Sequence, residues 1–333
     1  MVMSHSQVGQ DHPMLTQEYA IYSPPIAEFF DVICEWIDNK VPGGYVYGMS
    51  RLGKSWAIKY WMTLLIEEKY QGKVAFFHMH YSQHERPSEL LFLSEILAAL
   101  ENAFPTTGNK LAMYKRAINH MCTRAQNLRT NYILLMVDEA QFMHEQEYQW
   151  LCNIHNSLNK LGYRFTVISV GSHELTYQHE VFAMADSAYL IARFMVRNQM
   201  FHGIRSEAEL KYVLNGYDEQ SEWPLNSGTS FTHYFFPRAF KAGFRIAEIS
   251  DAMWKIFVDL APDNIQKHLN IPMEHIAKSV EYLFRVLSPG NPLHFSIEED
   301  LIRKAIKQTA YEQHMYAISL VLGRKLKGTR FES

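Results

Sequence analysis

Eight residues, Gly48-Met49-Ser50-Arg51-Leu52-Gly53-Lys54-Ser55, fit the pattern G-x-x-x-x-G-K-[ST] without a mismatch. The residue types define the chemistry. Glycines let the backbone curl closely around phosphate oxygens, so that successive N–H groups point inward. Lys54 would set its ammonium against the β- and γ-phosphates of a nucleotide, and Ser55 would offer its hydroxyl to Mg²⁺. A helix opening at Lys54 would add its N-terminal dipole to the same anion. The nucleotide-contacting stretch expected here is Gly48 to Ser55 together with Trp56. The plain alternative, a surface turn before a helix, fits the flanks less well. Gly44 to Tyr47 is short and β-prone, and Ser55 to Tyr70 lacks Gly and Pro and suits a long helix.

A second acidic element lies in Asn131 to Glu139. Five consecutive apolar residues, Ile133 to Val137, suit a strand buried on both faces, as in a parallel sheet. Asp138 and Glu139 follow at its C-terminal end, where open α/β sheets bind ligands. Asp138 would hold Mg²⁺, directly or through water. Glu139 would orient and polarise a water for attack on the γ-phosphate. A small-molecule kinase has no use for that second carboxylate, so the pair favours hydrolysis. Ser172 and His173 follow the next apolar run and would lie between the metal and the γ-phosphate, or would be plain turn residues. Arg193 and Arg197 precede a β-prone run, Met200 to Ile204. Either guanidinium could reach a neighbouring subunit's γ-phosphate as a finger, Arg193 being preferred, or could simply be solvated. Arg245, near a helix start, could sense phosphates from a second domain.

The elements that position these residues alternate. Helix Ile26 to Ile37 precedes the glycine loop. Strand Lys73 to Ser82, helices Ser88 to Phe104 and Lys110 to Thr130, the acidic strand, helix Glu145 to Leu161 and strand Arg164 to Val170 follow. Strands alternating with helices specify a parallel α/β sheet. The pattern changes after Ile204. Ser206-x-x-Glu209 and Ser296-x-x-Glu299 read as capping boxes, Asp218 to Ser230 as a loop, and Phe240 to Ala261, Pro272 to Leu287 and Ser296 to Leu322 as helices. The expected division is a flexible lead-in over 1–20, an α/β nucleotide-binding domain over 21–205 and a helical lid with C-terminal helices over 206–333.

Composition narrows the classes. With 333 residues, 47% of them hydrophobic, the chain can build a sizeable core. A net charge of -3 is not that of a strongly basic nucleic-acid binder, so any contact with DNA must come from a local patch. Cys34, Cys122 and Cys152 are far apart and form no C-x-x-C, which fits a reducing cytosol and gives no zinc motif. His78 and His80 share one face of a strand and read as structural without a partner motif. The polar stretch Met1 to Thr16 has no apolar core of a signal peptide, and no apolar run reaches membrane-span length. A cytoplasmic protein that enters no membrane is expected.

The order of these motifs resembles an AAA+ ATPase: Walker A at Gly48–Ser55, Walker B at Asp138–Glu139, sensor 1 at Ser172 and His173, a box with Arg193-Phe194, and sensor 2 at Arg245. More narrowly, the chain resembles the TnsC/TniB group of transposition regulators, relatives of MuB. The resemblance rests on Ser50-Arg51-Leu52-Gly53-Lys54-Ser55, on Val170-Gly171-Ser172-His173-Glu174-Leu175 and on Gly243-Phe244-Arg245-Ile246-Ala247-Glu248-Ile249, and spans roughly residues 20 to 260. Length and overall sequence are similar to the TnsC of CRISPR-associated transposons. The resemblance implies ATP and Mg²⁺ as cofactors, binding at subunit interfaces, and a homo-oligomeric ring or filament on double-stranded DNA. It also implies a link between a TniQ-type target selector with its RNA-guided complex and the transposase subunits (TnsA/TnsB type), with hydrolysis resetting the assembly.

For DNA contact, Lys110, Lys115, Arg116, Arg124 and Arg129 cluster in one stretch, with Lys115-Arg116 the favoured pair. Such a run is equally the solvated face of a helix. Arg324, Lys325, Lys327 and Arg330 form a second basic group near the C-terminus. Three alternatives stay open on sequence alone: a helicase-loader or chaperone-like AAA+ ATPase acting on a protein partner, a P-loop kinase, and a scaffold that binds ATP but barely hydrolyses it.

Overall fold

The computed structural model describes residues 11–185, 187–293 and 296–328, with side chains described as far as residue 320. The chain divides into two compact units. One comprises Glu28–Ser50 and Lys54–Phe201; the other comprises Arg51–Gly53, the chain from His202 onward, and the described residues up to Ala27. The boundary after Phe201 falls four residues before the expected one.

The first unit is built on five parallel strands: β1 Gly43–Tyr47, β2 Ala75–His80, β3 Tyr132–Asp138, β4 Arg164–Gly171 and β5 Arg197–Met200. Their order is β2-β3-β4-β1-β5. Every residue of β3 is buried, as its apolar run requires. Helices Glu89–Ala99, Lys110–Asn127 and Glu145–Lys160 pack their apolar sides into one core with alternate residues of the strands, among them Ile133, Leu135, Val137 and Val167. Ser88 caps the first of these helices by accepting from the Leu91 N–H, and Asn109 caps the second by accepting from the Ala112 N–H.

Registers set the levels of the strand ends. Tyr47 lies opposite Gly171 and Val137 opposite Ser169. One residue past β1 and one past β3, the chain therefore leaves the sheet at the same edge as the end of β4. Gly48 and Glu139 stand two strand spacings apart, about 10 Å. The helix after the glycine loop opens at Lys54 and continues to Tyr70, with a π-helical turn at Ile58–Met62.

Two expectations are corrected here. The last strand is Arg197–Met200, not Met200 to Ile204; Ile204 makes only an isolated bridge with Ile271. This strand is a mostly exposed edge strand of polar sequence, Arg-Asn-Gln-Met, so it carries no apolar alternation. Helix Glu89–Ala99 also stops short of Phe104, turning at Glu101 with φ 56°.

The second unit is helical and has its own core, which includes Leu210, Tyr217, Phe236, Phe257, Ile276 and Tyr311. Ser206 caps helix Glu207–Asn215 as expected, accepting from the Glu209 N–H, while the Glu209 carboxylate takes the N–H of Arg205 rather than that of Ser206. Ser296 is not a cap: helix Glu299–Gln308 is preceded by Glu298 in the cap position. The expected helix to Leu322 breaks at Ala310, whose φ is 59°, and resumes as Tyr311–Gly328. The stretch Phe240 to Ala261 is likewise interrupted, by a turn around Gly243 and a short 3₁₀ helix, Ile246–Ile249, before helix Ser250–Leu260. Asp218, assigned to a loop, is buried and accepts from the Ile246 and Ala247 N–H groups, which satisfies the start of that 3₁₀ helix.

Residues 11–20 are not a free lead-in. His12 and Met14 are buried in the helical core, and Tyr19 donates to Glu281. The imidazole of His12 sits among Trp223, Phe231, Tyr234 and Phe235. Met1 to Gln10 lie outside the described residues. No helix among the described residues is long and apolar enough to cross a membrane.

Candidate nucleotide-binding site

Lys54 opens the helix after the glycine loop and is buried, with 9% of its surface exposed. Its ammonium donates to the Gly48 carbonyl at 2.9 Å and the Met49 carbonyl at 2.7 Å. Two of its three protons are thus spent on holding the amine over the loop's own backbone, and one remains for an incoming acceptor. Burial pulls its pKa from 10.5 down to about 8, opposed by the charges of Asp138 and then Glu139. The loop turns through left-handed backbone at Arg51 (φ 64°) and Gly53 (φ 100°), the second a conformation that favours glycine. Leu52 is buried, and Ser55 is exposed in the first helical turn. Gly48 donates its N–H to Gly171, tying the loop's start to the end of β4. Met49 and Ser50 complete the loop. Trp56 faces outward, stacked on Tyr60 at 5.3 Å with Lys59 over both rings.

Asp138 ends β3 and is 1% exposed. Its Oδ1 accepts from the Glu139 N–H at 3.1 Å. Its Oδ2 is buried without a hydrogen-bond partner; His80, its register neighbour on β2, stands 3.8 Å away. A buried carboxylate oxygen left unpartnered suits coordination of a cation. His78 is half-buried on the face of β2 opposite Phe77 and Met79, and desolvation lowers its pKa. Among the described residues no group of three or more His, Cys, Asp or Glu converges as a metal site. Mg²⁺ sites of the phosphate-dependent kind need none, because one carboxylate, a hydroxyl, waters and phosphates suffice.

Glu139 takes left-handed backbone (φ 58°) and starts the turn Ala140–Phe142. Its Oε2 accepts from Gln141 Nε2 at 2.6 Å. The other end of the same amide, Gln141 Oε1, accepts from the Ser172 N–H at 3.1 Å. Gln141 was not singled out by sequence. The signal was there: an amide two positions past an Asp-Glu strand end. The Ser172 hydroxyl accepts from the Glu174 N–H, at the opening of helix Glu174–Met184, and the His173 ring packs edge-on against Tyr47 at 5.3 Å. Gly48, Lys54, Asp138, Glu139, Ser172 and His173 therefore share one edge of the sheet.

Within the same unit, Arg193 and Arg197 do not join them. Arg193 lies in the turn Ile191–Met195 and donates to Asn156 Oδ1 at 3.1 Å. Its carbonyl lies beside Gly43, at the opposite end of β1 from the loop. Arg197 begins the edge strand β5, opposite Gly44, with its side chain exposed. Arg245 belongs to the helical unit. Its guanidinium lies 3.6 Å over the Phe240 ring and donates to the Phe240 and Phe244 carbonyls.

The basic stretch does not form one face. Lys110 pairs with Glu89 at 2.6 Å, and Arg116 donates to the Phe104 carbonyl at 2.7 Å. Lys115 and Arg124 are exposed but nine residues apart, which places them on opposite flanks of the helix. Arg129 lies beyond its end. The side chains of Arg324, Lys325 and Lys327, and Arg330 altogether, lie outside what the structure describes.

A parallel sheet of order β2-β3-β4-β1-β5, with a glycine loop after β1 and Asp-Glu after β3, is an AAA+ P-loop NTPase fold followed by a helical part. Residues 42–178 match the family model described as "AAA domain". Among solved structures the chain is similar to the ORC2 protein of Aeropyrum pernix in its ADPNP-ADP complexes, at 13% identity, covering 90% of this chain and 72% of that one, with a TM-score of 0.58. It is also similar to Cdc6p from Pyrobaculum aerophilum, at 14% identity, covering 92% and 70%, with a TM-score of 0.52. No curated protein sequence matches the chain significantly.

Proposed function

We propose that this protein binds ATP with Mg²⁺ at the shared sheet edge and hydrolyses it to ADP and phosphate. The observation that carries this is the presence there of a buried, loop-anchored Lys54 ammonium and a buried Asp138 oxygen that accepts no hydrogen bond. The backbone N–H groups of Gly48 to Ser55 and the Lys54 ammonium would hold the phosphates. Ser55 and Asp138 would hold Mg²⁺, which when bound neutralises charge on the phosphates. Glu139 orients the attacking water and accepts its proton. Ser172 and His173 flank the same place. The ADPNP-ADP complexes of the Aeropyrum protein are in keeping with a nucleotide in a fold of this kind. The resemblance gives Arg245 the role of a phosphate sensor.

Of the two finger candidates, Arg197 is the better placed to reach another subunit, because it is exposed on an edge strand while Arg193 is held by Asn156.

The finer reading is a DNA-assembling regulator of transposition, linking a TniQ-type selector to the transposase as a ring or filament on duplex DNA. It is supported by the loop, post-β4 and Arg245 sequences that resemble the TnsC/TniB group. The scattered basic residues lend it nothing, and contacts to DNA phosphates would have to form across several subunits. Electron microscopy of the purified chain with duplex DNA, with and without ATP and Mg²⁺, tests it. Rings or filaments on DNA that need ATP and vanish in Lys54→Ala are expected. ATP turnover indifferent to DNA, with no assembly on it, would instead support a loader-type ATPase acting on a protein.

A further inference from the structure

Gln141 is wired at both ends. Its amide N–H₂ meets the Glu139 carboxylate and its carbonyl meets the Ser172 N–H. The second bond settles the amide's orientation, because an N–H must face an acceptor. The donor end is then forced toward Glu139. The backbone around it is fixed from a third element: Gln178, on helix Glu174–Met184, donates through one nitrogen to the Gln141 carbonyl at 2.9 Å and to the Met143 carbonyl at 2.6 Å. The space for the amide exists only because residue 171 is glycine. A Cβ there would stand 2.2 Å from Gln141 Oε1 and 3.2 Å from the Gln141 nitrogen.

We infer that Gln141 is the positioning residue for Glu139. It holds one carboxylate oxygen, leaves the other to face water, and ties that geometry to the end of β4, so that a shift at Ser172 reaches the carboxylate directly. This rests on the reading of Glu139 as the group that orients the attacking water. Gln141 touches no reacting atom itself. Its loss would let the carboxylate rotate away, and misplacements of about 1 Å cost roughly 100-fold in rate.

The test is steady-state ATP hydrolysis with a separate measurement of nucleotide affinity, on the full chain with ATP and Mg²⁺. Gln141→Met keeps the side chain's length and removes both hydrogen bonds. We expect kcat to fall about 10- to 100-fold with KM and affinity within about twofold. Gly171→Ala leaves Gln141 in the sequence but expels its amide, and should give the same split. The double variant should be no slower than the worse single variant, because the methyl then has no amide to displace. Glu139→Gln serves as the reference. If it is inactive while both Gln141→Met and Gly171→Ala turn over at the wild-type kcat, the inference is overturned and the role of Glu139 stands. If Glu139→Gln hydrolyses at the wild-type rate, the role of Glu139 falls and takes the inference with it. Should neither single variant fold, the Gln141 side-chain amide protons decide by NMR. They must shift on Glu139→Gln, and unmoved resonances refute the contact.

Discussion

With its pKa drawn down by burial, the Lys54 ammonium should give the proposed nucleotide binding a pH dependence that can be worked out. Its pKa is pulled down to about 8 because desolvation outweighs the attraction of Asp138 and Glu139. If phosphate binds the charged amine, the competent fraction of free protein falls from about nine-tenths at pH 7 to about one-tenth at pH 9. Apparent affinity should then weaken by about tenfold over that range, or ~1.4 kcal/mol. The sign follows from linkage. Bound phosphate raises the lysine's pKa, so binding takes up a proton where the free amine is neutral. Titration calorimetry at pH 9 in two buffers of different ionisation heat should therefore show uptake of about one proton per nucleotide. Glu139→Gln removes an opposing charge and should move the midpoint below that of the wild type. Lys54→Arg, whose guanidinium stays charged, should bind more weakly but without the slope. A wild-type affinity that is flat between pH 7 and 9, or a Lys54→Arg protein with the same tenfold slope, would refute the reasoning.

Three further outcomes follow from the geometry. Arg197→Ala should keep ATP affinity and lose turnover at least about tenfold, and mixing it with Lys54→Ala protein should restore some activity if the finger works between subunits; an Arg193→Ala protein with the same behaviour would transfer the role to Arg193. Gly43→Ala should destabilise the α/β unit by about 1–3 kcal/mol or more in urea, because its Cβ would meet the Val167 carbonyl at 2.8 Å and the Phe194 Cα at 2.9 Å, both backbone atoms that cannot swing aside. His275 is buried neutral, its pKa drawn down to about 4 by burial and by His314, so the unfolded chain binds more protons between pH 6.5 and 4. Stability should therefore drop as pH falls through that window, by about 2 kcal/mol at pH 5 from this group, and His275→Gln should lose that share of the drop.

What could be read from sequence follows from which forces leave a mark in it. The strand Ile133 to Val137 announced itself because a doubly covered strand admits only apolar residues, and Asp138 and Glu139 were legible because charge directly after such a run has nowhere to go but the sheet edge. Phosphate chemistry constrains residue type at each loop position, so Gly53 and Lys54 were legible too. The failures are positions where no such constraint acts. An edge strand hydrogen-bonded on one side tolerates Arg-Asn-Gln-Met, and its start at Arg197 was missed. Ala310 breaks a helix with no glycine or proline to mark it. The basic run from Lys110 to Arg129 is dense along the chain, yet a helix turns 100° per residue, so density in sequence is not a patch in space. Gln141 shows the reverse. A single amide carries little information by itself, and acquires a role only when the register of β3 against β4 brings Glu139 and Ser172 to its two ends and Gly171 leaves room between them. Motifs record what the ligand demands of a residue. The parts that must agree with one another across strands are fixed by register, and a sequence states register only indirectly.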